Sequence, residues 1–509
     1  MDIWSNLGLG FATAIEPFNL MVCAFGVSLG TLAGVLPGVG AITAISILLP
    51  LTFYMEPHSA IIMLAGIYYG AQYGGSTASI LMNIPGTSTH AVTCLDGYPL
   101  SKQGRAGPAL FMAGITSFVG GSFAILLMMF LAPTIAEAAL KFQSAEYFTV
   151  MVFGLVAAST LSAGSPLKGL AMVAFGVALG FVGIDLTSGM NRFQFGYLDL
   201  SDGLNLVAVA MGIFGVAEIL VNLIKQATPF TVQTVRLRAL LPTWADIRQS
   251  SVPTARASVI GSGCGVLPGV GPTIASFMAY AAEKRLSKHP ERFGQGAIEG
   301  VAAPEAANNA AAQAGFIPTL SLGIPGDAIG AVLLGALLLH GIAPGPTVVT
   351  EQPVLFWGLI ASFWIGNVLL LILNIPLIPL WVYILKIPYN ALYPAMLFFI
   401  CIGVYSINYN VFDIFIVIIF GFVGVLMMIM RFPAAPLLLG FILGPMIEET
   451  LRRALLISRG DLSILVSSPI SASFVAATVL VLAFSMRSSI MRIFTRSRAR
   501  AEHRVESAE

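Results

Sequence analysis

Gly34-Val35-Leu36-Pro37-Gly38-Val39-Gly40 recurs residue for residue as Gly265-Val266-Leu267-Pro268-Gly269-Val270-Gly271, 231 positions further along the chain. Neither copy can continue a regular helix, because proline removes a backbone donor and glycine favours a turn. Each nonetheless lies within a long apolar stretch. A second pair follows in the same order, Asn83-Ile84-Pro85-Gly86 being answered by Gly323-Ile324-Pro325-Gly326 at an offset of 240. Two motifs repeated at nearly one separation indicate duplicated halves, near 15–225 and 250–450.

Composition sets the class around those motifs. Of 509 residues, 57% are hydrophobic and 10% charged, against about 25% charged in soluble proteins. With roughly 20 apolar residues per spanning helix, the expectation is an all-α polytopic membrane protein. It has two inverted-topology repeats, broken or re-entrant helices, and about 11 spans plus re-entrant segments. The 52 glycines and 29 prolines read as breaks in membrane helices. The expected divisions are a first repeat over 1–225, a cytoplasmic linker over 226–256, and a second repeat over 257–450. An additional span over 451–486 and a basic cytoplasmic tail over 487–509 complete the chain.

Charge placement gives orientation. Lys102 and Arg105, the segment Lys225 to Arg256, the segment Lys284 to Arg292, and the tail from Arg487 are the basic loops, which the positive-inside rule assigns to the cytoplasm. Both ends of 257–281 are then cytoplasmic, which fits a re-entrant hairpin around Pro268-Gly269; a broken spanning helix is the alternative. Leu51 to Ser59 holds Glu56 and no Lys or Arg, whereas its counterpart carries Lys284, Arg285, Lys288 and Arg292. After the Ile-Pro-Gly motifs the bias reverses, the pattern of an inverted repeat. The N-terminus is expected on the outer side of the membrane and the C-terminus in the cytoplasm.

A helix broken within the bilayer presents N–H groups at one half-helix start, which attract carboxylates, and carbonyls at the other end, which attract cations. The expected substrate-binding residues are Pro37, Gly38, Gly40 and Thr43 at the first break and Pro268, Gly269, Gly271 and Thr273 at the second. Gln72, Ser76, Thr87 and Ser88 join them from the small polar stretches beside the first Ile-Pro-Gly turn. Packing kinks are the alternative reading of the breaks. Glu305, Asn308 and Asn309, at i, i+3 and i+4 of one helix, together with Asp327, are the cation-binding candidates. The alternatives are a surface helix turn for the first three and a helix cap for Asp327. Glu218 and Glu448 read as structural, and interfacial anchoring accounts for two of Tyr68, Tyr69 and Tyr73.

Other classes drop out. A net charge of +1 without a basic stripe argues against nucleic-acid binding. No Walker lysine motif or H-E-x-x-H stretch marks an enzyme, and the string Gly26-Val27-Ser28-Leu29-Gly30 sits inside a long apolar run. Cys23, Cys94, Cys264 and Cys401 are scattered and read as packing residues. No cofactor is expected beyond a coupling cation, Na⁺ or H⁺, with a metal role for Na⁺ alone.

The paired Leu-Pro-Gly-Val-Gly motifs (36–40 and 267–271), Tyr-Tyr-Gly-Ala-Gln-Tyr-Gly-Gly-Ser (68–76), the Ile-Pro-Gly turns and Pro-Glu-Ala-Ala-Asn-Asn-Ala (304–310) together resemble the large membrane subunit of tripartite tricarboxylate transporters, the TctA family. The likeness extends from about residue 10 to 460. It implies a permease of the bacterial inner membrane, its N-terminus then periplasmic, that is driven by an ion gradient, works with a small membrane subunit (TctB type) and a periplasmic solute-binding protein (TctC type), and takes up citrate or another carboxylate across the lipid bilayer. A carboxylate channel, or a membrane scaffold or sensor without transport, are the competing functions.

Overall fold

The computed structural model describes residues 3–36, 39–161, 165–185, 188–224, 240–384 and 389–485. Pro37 and Gly38, most of the expected linker and the basic tail lie outside the described residues. The chain begins with helices α1 (Ile3–Ala14), α2 (Pro17–Val35), α3 (Gly40–Thr52), α4 (Pro57–Met82), α5 (Thr93–Leu100) and α6 (Ala106–Ala139). Next come α7 (Ser144–Leu161), α8 (Pro166–Gly180), and α9 (Leu206–Ala210) and α10 (Ala217–Ile224), joined through a π-helical turn at Met211–Val216. Then follow α11 (Trp244–Val266), α12 (Gly271–Leu286), α13 (Glu299–Ala314), α14 (Phe316–Leu322), α15 (Ala328–Leu339), α16 (Pro346–Glu351) and α17 (Pro353–Asn374). The last are α18 (Ile378–Ile384), α19 (Tyr389–Asn408), α20 (Val411–Met430), α21 (Ala434–Ile457) and α22 (Ile464–Ser467).

Among the described residues, six helical segments are long and apolar enough to cross a membrane: Pro17–Val35, Cys94–Ala139, Leu206–Ile224, Pro353–Asn374, Val411–Met430 and Ala434–Ile457. Shorter apolar helices accompany them, among them Gly40–Thr52, Ala328–Leu339 and Pro469–Ser485. The protein is thus an all-α membrane protein.

Contacts divide the chain into two compact bodies, residues 1–141 with 204–426, and residues 142–203 with 427–509. In the second body, α8 and α21 meet through small residues: a Cβ added at Gly176 or Gly440 would strike a carbonyl of the opposite helix, of Leu437 or Val173. A short ribbon follows α8, with Gly183 paired to Arg192 and Ile184 to Asn191. Arg192 bonds Asp185 (2.6 Å) and Glu448 (2.9 Å), and Arg452 closes the ring on the same two carboxylates at 3.1 and 2.6 Å. Glu448 therefore holds the ribbon to α21, the structural role expected of it.

The first body holds both copies of the repeated motifs. Here most glycines mark close crossings of intact helices, where composition had suggested breaks. A Cβ at Gly30 or Gly34 of α2 would land on the Ile67 or Ala71 carbonyl of α4; at Gly261 or Gly265 of α11 it would land on the Ala307 or Ala311 carbonyl of α13. Lost side chains here let backbones approach, the packing that membrane helices favour. The contacting pairs are related by the same offsets as the motifs, 231 for the first member and 240 for the second.

The second break is the tip of a helical hairpin. Arg256 of α11 pairs with Glu283 of α12 at 2.5 Å, and nearer the tip Cys264 Sγ faces Met278 Sδ at 3.8 Å. The two arms therefore run antiparallel, with the tip at Leu267–Val270. Helix α11 itself starts at Trp244, inside the segment read as linker, behind a capping box in which Thr243 Oγ1 accepts from Asp246 N (3.2 Å) and Asp246 Oδ2 accepts from Thr243 N (2.9 Å).

Loops that the charge rule assigned to one side do meet. Arg105 Nη2 reaches Asp246 Oδ1 at 2.6 Å, and Gln103 donates to the Gln295 carbonyl at 2.8 Å. Asp96, fully buried in α5, accepts from the backbone N–H of Gly294, Gly296 and Ala297, each at 2.8 Å, and from the Tyr280 hydroxyl at 2.9 Å.

Burial raises the Asp246 pKa, but the bonds from Arg105 and Thr243 outweigh it, and the group sits below the usual carboxylate range. A depressed folded pKa contributes stability above the unfolded value, about 3.9, and loses it as pH falls through the folded one. Because Arg105 is partly exposed, Asp246→Ala is expected to cost only about 1–2 kcal/mol at pH 7. The deficit should close below about pH 4. Thermal unfolding of both proteins in detergent across that range checks it; a deficit that persists in acid would contradict the assignment.

Candidate functional site

Helices α4 and α13 are the two most enclosed elements, every residue from Ser59 to Met82 and from Gly300 to Ala314 being buried. Neither is among the six strongly apolar segments, α13 being only 16 residues long, and both carry polar side chains inward. Those polar groups must find partners within the protein, since an unpaired buried polar group costs about 1–3 kcal/mol.

His90 organises one part of the site. Its Nε2 lies 2.7 Å from the Gln72 carbonyl, which can only accept, so this nitrogen carries the hydrogen; Nδ1 then accepts from Thr87 (2.7 Å) or Thr89 (3.0 Å). Thr89 also donates to Gln72 Oε1 at 3.0 Å. Asn308 lies 3.1 Å from Nε2, and Glu305 Oε2 lies 3.8 Å from it. Facing a hydrogen-bearing nitrogen, the Asn308 amide is best turned so that its oxygen is nearest. Glu305 Oε1 accepts from Thr93 at 2.6 Å, while its Oε2 has no hydrogen-bond partner.

Further along α13, Asn309 donates to the Glu305 carbonyl at 3.1 Å, which leaves Oδ1 without a partner. Gln313 has neither amide atom partnered. Asn367 of α17 has both amide atoms partnered, accepting from Tyr73 and donating to the Phe118 carbonyl (3.1 Å) and Ser122 (3.0 Å).

The expected residues therefore fall into three places. Glu305, Asn308 and Asn309 are together on α13, in the interior and away from any surface turn, with Gln72 and Thr87 joined to them through His90. Ser76 only turns back to the Tyr73 carbonyl at 2.8 Å. Gly271, Thr273, Gly269 and Pro268 form the hairpin tip, where Gly269 N donates to Gly326 O at 2.8 Å and joins the second break to the second Ile-Pro-Gly turn. Ser88 faces Thr273 there at 3.1 Å, and Ser276 donates to the Thr89 carbonyl at 2.9 Å. Asp327 caps α15 through Gly330 N (2.7 Å) and also accepts from Tyr68 at 2.6 Å. It borders a cleft lined by Tyr68, Gly265, Gly271, Phe316 and Thr319. At the first break Gly40 adopts a positive φ of 63°, and Thr43 donates to Glu218 Oε2 at 3.3 Å.

Each half-helix start thus faces one of the protein's own acids. Glu218 Oε2 lies 3.7 Å from the position of a Cβ on Gly40, and the Asp327 Cβ 3.1 Å from that of a Cβ on Gly271. Reading Glu218 as a span-closing residue missed this; the adjacent π-helical turn at Met211–Val216, invisible in the sequence, aims it inward. Tyr68, Tyr69 and Tyr73 are all buried and bonded to Asp327, Ser362 and Asn367 respectively, so none of them is an interfacial anchor. His90, Thr93, Gln313 and Asn367 were not singled out either; the signal available was a lone histidine in a Thr-Ser-Thr-His run and amides within apolar stretches.

Removing the Tyr68 hydroxyl takes the side-chain donor from a part-buried carboxylate that otherwise accepts from backbone N–H groups. Tyr68→Phe is expected to lower stability by about 1.5–3 kcal/mol, read as a drop in the unfolding midpoint, whereas Tyr54→Phe at the exposed Tyr54–Tyr409 contact should leave it unchanged. Equal effects would remove Asp327 from the site.

A model of the tripartite tricarboxylate transporter TctA family matches residues 20–439. Two Agrobacterium vitis proteins are similar to the chain. An uncharacterized 52.8 kDa protein in the TAR-I ttuC' 3' region is 52% identical over 498 residues, 97% of this chain and 99% of the relative. An uncharacterized protein in the TAR-II ttuC' 3' region is 55% identical over 238 residues, 46% of this chain and 98% of the relative. No solved structure matches significantly.

Proposed function

The chain belongs to the TctA family of tripartite tricarboxylate transporters, and from that premise we propose that it is the permease subunit for ion-gradient-driven uptake of a carboxylate. The substrate reaches it from a periplasmic solute-binding protein, and a small membrane subunit completes the complex. The observation that carries this reading is the pairwise repetition of contacts, Gly30–Ile67 with Gly261–Ala307 and Gly34–Ala71 with Gly265–Ala311. Two structurally matched halves with oppositely biased loop charges are the arrangement in which inverted repeats exchange access around a fixed site.

The carboxylate binds near the two half-helix starts, where N–H groups are concentrated. It competes there with Glu218 and Asp327, so binding is linked to the charge on those acids. Cations bind at the oxygen-rich face of α13, with Glu305 the charged ligand, Asn308 a neutral one beside it and Asn309 a neutral one further along the helix. Neutral oxygens favour Na⁺ as the coupling ion.

The test is uptake of labelled carboxylates into proteoliposomes holding the chain and its small subunit, with binding protein added and Na⁺ and H⁺ gradients imposed separately. Accumulation that needs the Na⁺ gradient is expected. Equilibration without accumulation would make the protein a channel, and no flux with correctly inserted partners would make it a scaffold or sensor.

A further inference from the structure

Gln313 is fully buried, and both its amide oxygen and its amide nitrogen lack partners. One turn away Asn309, equally buried, keeps an unpartnered Oδ1 that cannot be exchanged for its nitrogen, since the latter donates to the Glu305 carbonyl. Residues four apart on a helix are neighbours, so the two amides share one face of α13.

Opposite that face is Gly121 of α6. A Cβ there would lie 3.1 Å from Gln313 Nε2, 3.2 Å from Asn367 Oδ1 and 3.3 Å from Asn367 Nδ2. The absent side chain lets the ends of two amides, Gln313 and Asn367, close against the α6 backbone. The offset of 240 pairs Gln313 with Tyr73, and Tyr73 has the partner that Gln313 lacks, Asn367. Asn367 follows Gly366, which packs against Tyr69 of α4; Gly121 follows Gly120, which packs against Ala306 of α13. On one side of the molecule the place is filled by an asparagine, and on the other by a glycine.

We propose that Asn309 and Gln313, with Asn367 beside them, form a second cation site at Gly121, an electrically neutral one that takes a dehydrated alkali cation of the size of Na⁺. The unpartnered side-chain atoms of Asn309 and Gln313 are mostly acceptors, Asn309 Oδ1 and Gln313 Oε1 against Gln313 Nε2 alone, and the Asn367 Oδ1 beside Gln313 retains a second lone pair. An excess of neutral oxygens suits a hard monovalent cation and offers little to a carboxylate. The inference rests on the coupling-ion reading above and extends it: two cations move with each substrate, one held by Glu305 and one by amides.

Direct binding of ²²Na⁺ to the purified complex at equilibrium, counted per protein, tests this without requiring transport. The wild type is expected to bind two. Gln313→Leu, of nearly unchanged volume, and Gly121→Ala, whose methyl group presses only on the side-chain ends of Gln313 and Asn367, should each bind one. Glu305→Gln should also bind one, and the double variant Glu305→Gln/Gln313→Leu none. Unfolding midpoints in choline show which variants are folded. Two ions bound by both folded Gln313→Leu and Gly121→Ala would overturn the second site and leave the Glu305 reading standing. One ion in the wild type, lost in Glu305→Gln and kept in Gln313→Leu, would do the same. No Na⁺ bound by the wild type overturns both readings.

Discussion

Glu305→Gln is expected to abolish gradient-driven accumulation, by about a hundredfold or more, while the protein folds and inserts normally. The substitution keeps the side-chain volume and retains an oxygen to accept from Thr93, which lies 2.6 Å from Oε1. What it removes is the charge at Oε2, the carboxylate oxygen with no hydrogen-bond partner. A cation bound there loses its only charged ligand. Breaking a buried ion pair costs about 3–5 kcal/mol, and each 1.36 kcal/mol is tenfold, so the loss reaches two or more decades. Uptake under an imposed Na⁺ gradient measures it, with Glu351→Gln, outside the cluster, as the control. Accumulation within a few-fold of wild type would remove Glu305 from the coupling site.

The second large effect is structural and asymmetric. Gly86 and Gly326 occupy equivalent places in the two Ile-Pro-Gly turns, each against the glycine that opens its half's Gly-Val-Leu-Pro motif. A Cβ on Gly86 would collide with the Gly34 carbonyl and lie 2.6 Å from the Gly75 Cα, backbone on both sides. A Cβ on Gly326 would meet the Gly265 carbonyl at 3.1 Å and the Gly315 Cα at 3.5 Å. Overpacking typically costs 1–3 kcal/mol and more where backbone must shift. Gly86→Ala should therefore lose about 3 kcal/mol or more and most of the folded yield, while Gly326→Ala should lose about 1 kcal/mol. Size-exclusion profiles and unfolding midpoints of the two variants decide it; equal tolerance would mean that the first turn is looser than its geometry.

The sequence told a good deal about the halves and less about what they enclose. Motif order and offset located both breaks because a Pro-Gly pair stops a helix whatever surrounds it. Glu305, Asn308 and Asn309 were legible because one helix displays them at a fixed spacing. Their partners come from α4, from the turn at Ser88–Ala91, and from α5, α6 and α17, which no linear pattern relates. Gly121 was hidden for a further reason: its contribution is the lack of a side chain, and the chain has 52 glycines. Had the glycines been tested for a spacing of four, Gly26, Gly30 and Gly34 and their neighbours Gly66, Gly70 and Gly74 would have revealed the α2–α4 crossing.

The enclosure of α4 by later parts of the chain bears on how the protein is made. Tyr68 finds its acceptor at Asp327, Tyr73 at Asn367, and Thr93 at Glu305. Those partners are translated more than 200 residues afterwards, roughly 10–50 s at the usual 5–20 residues per second. During that interval a helix with Tyr68 and Tyr73 has reached the membrane before the groups that accept from their hydroxyls. The first half cannot complete its interior alone, so the nascent chain must keep α4 sheltered until α13 and α17 arrive.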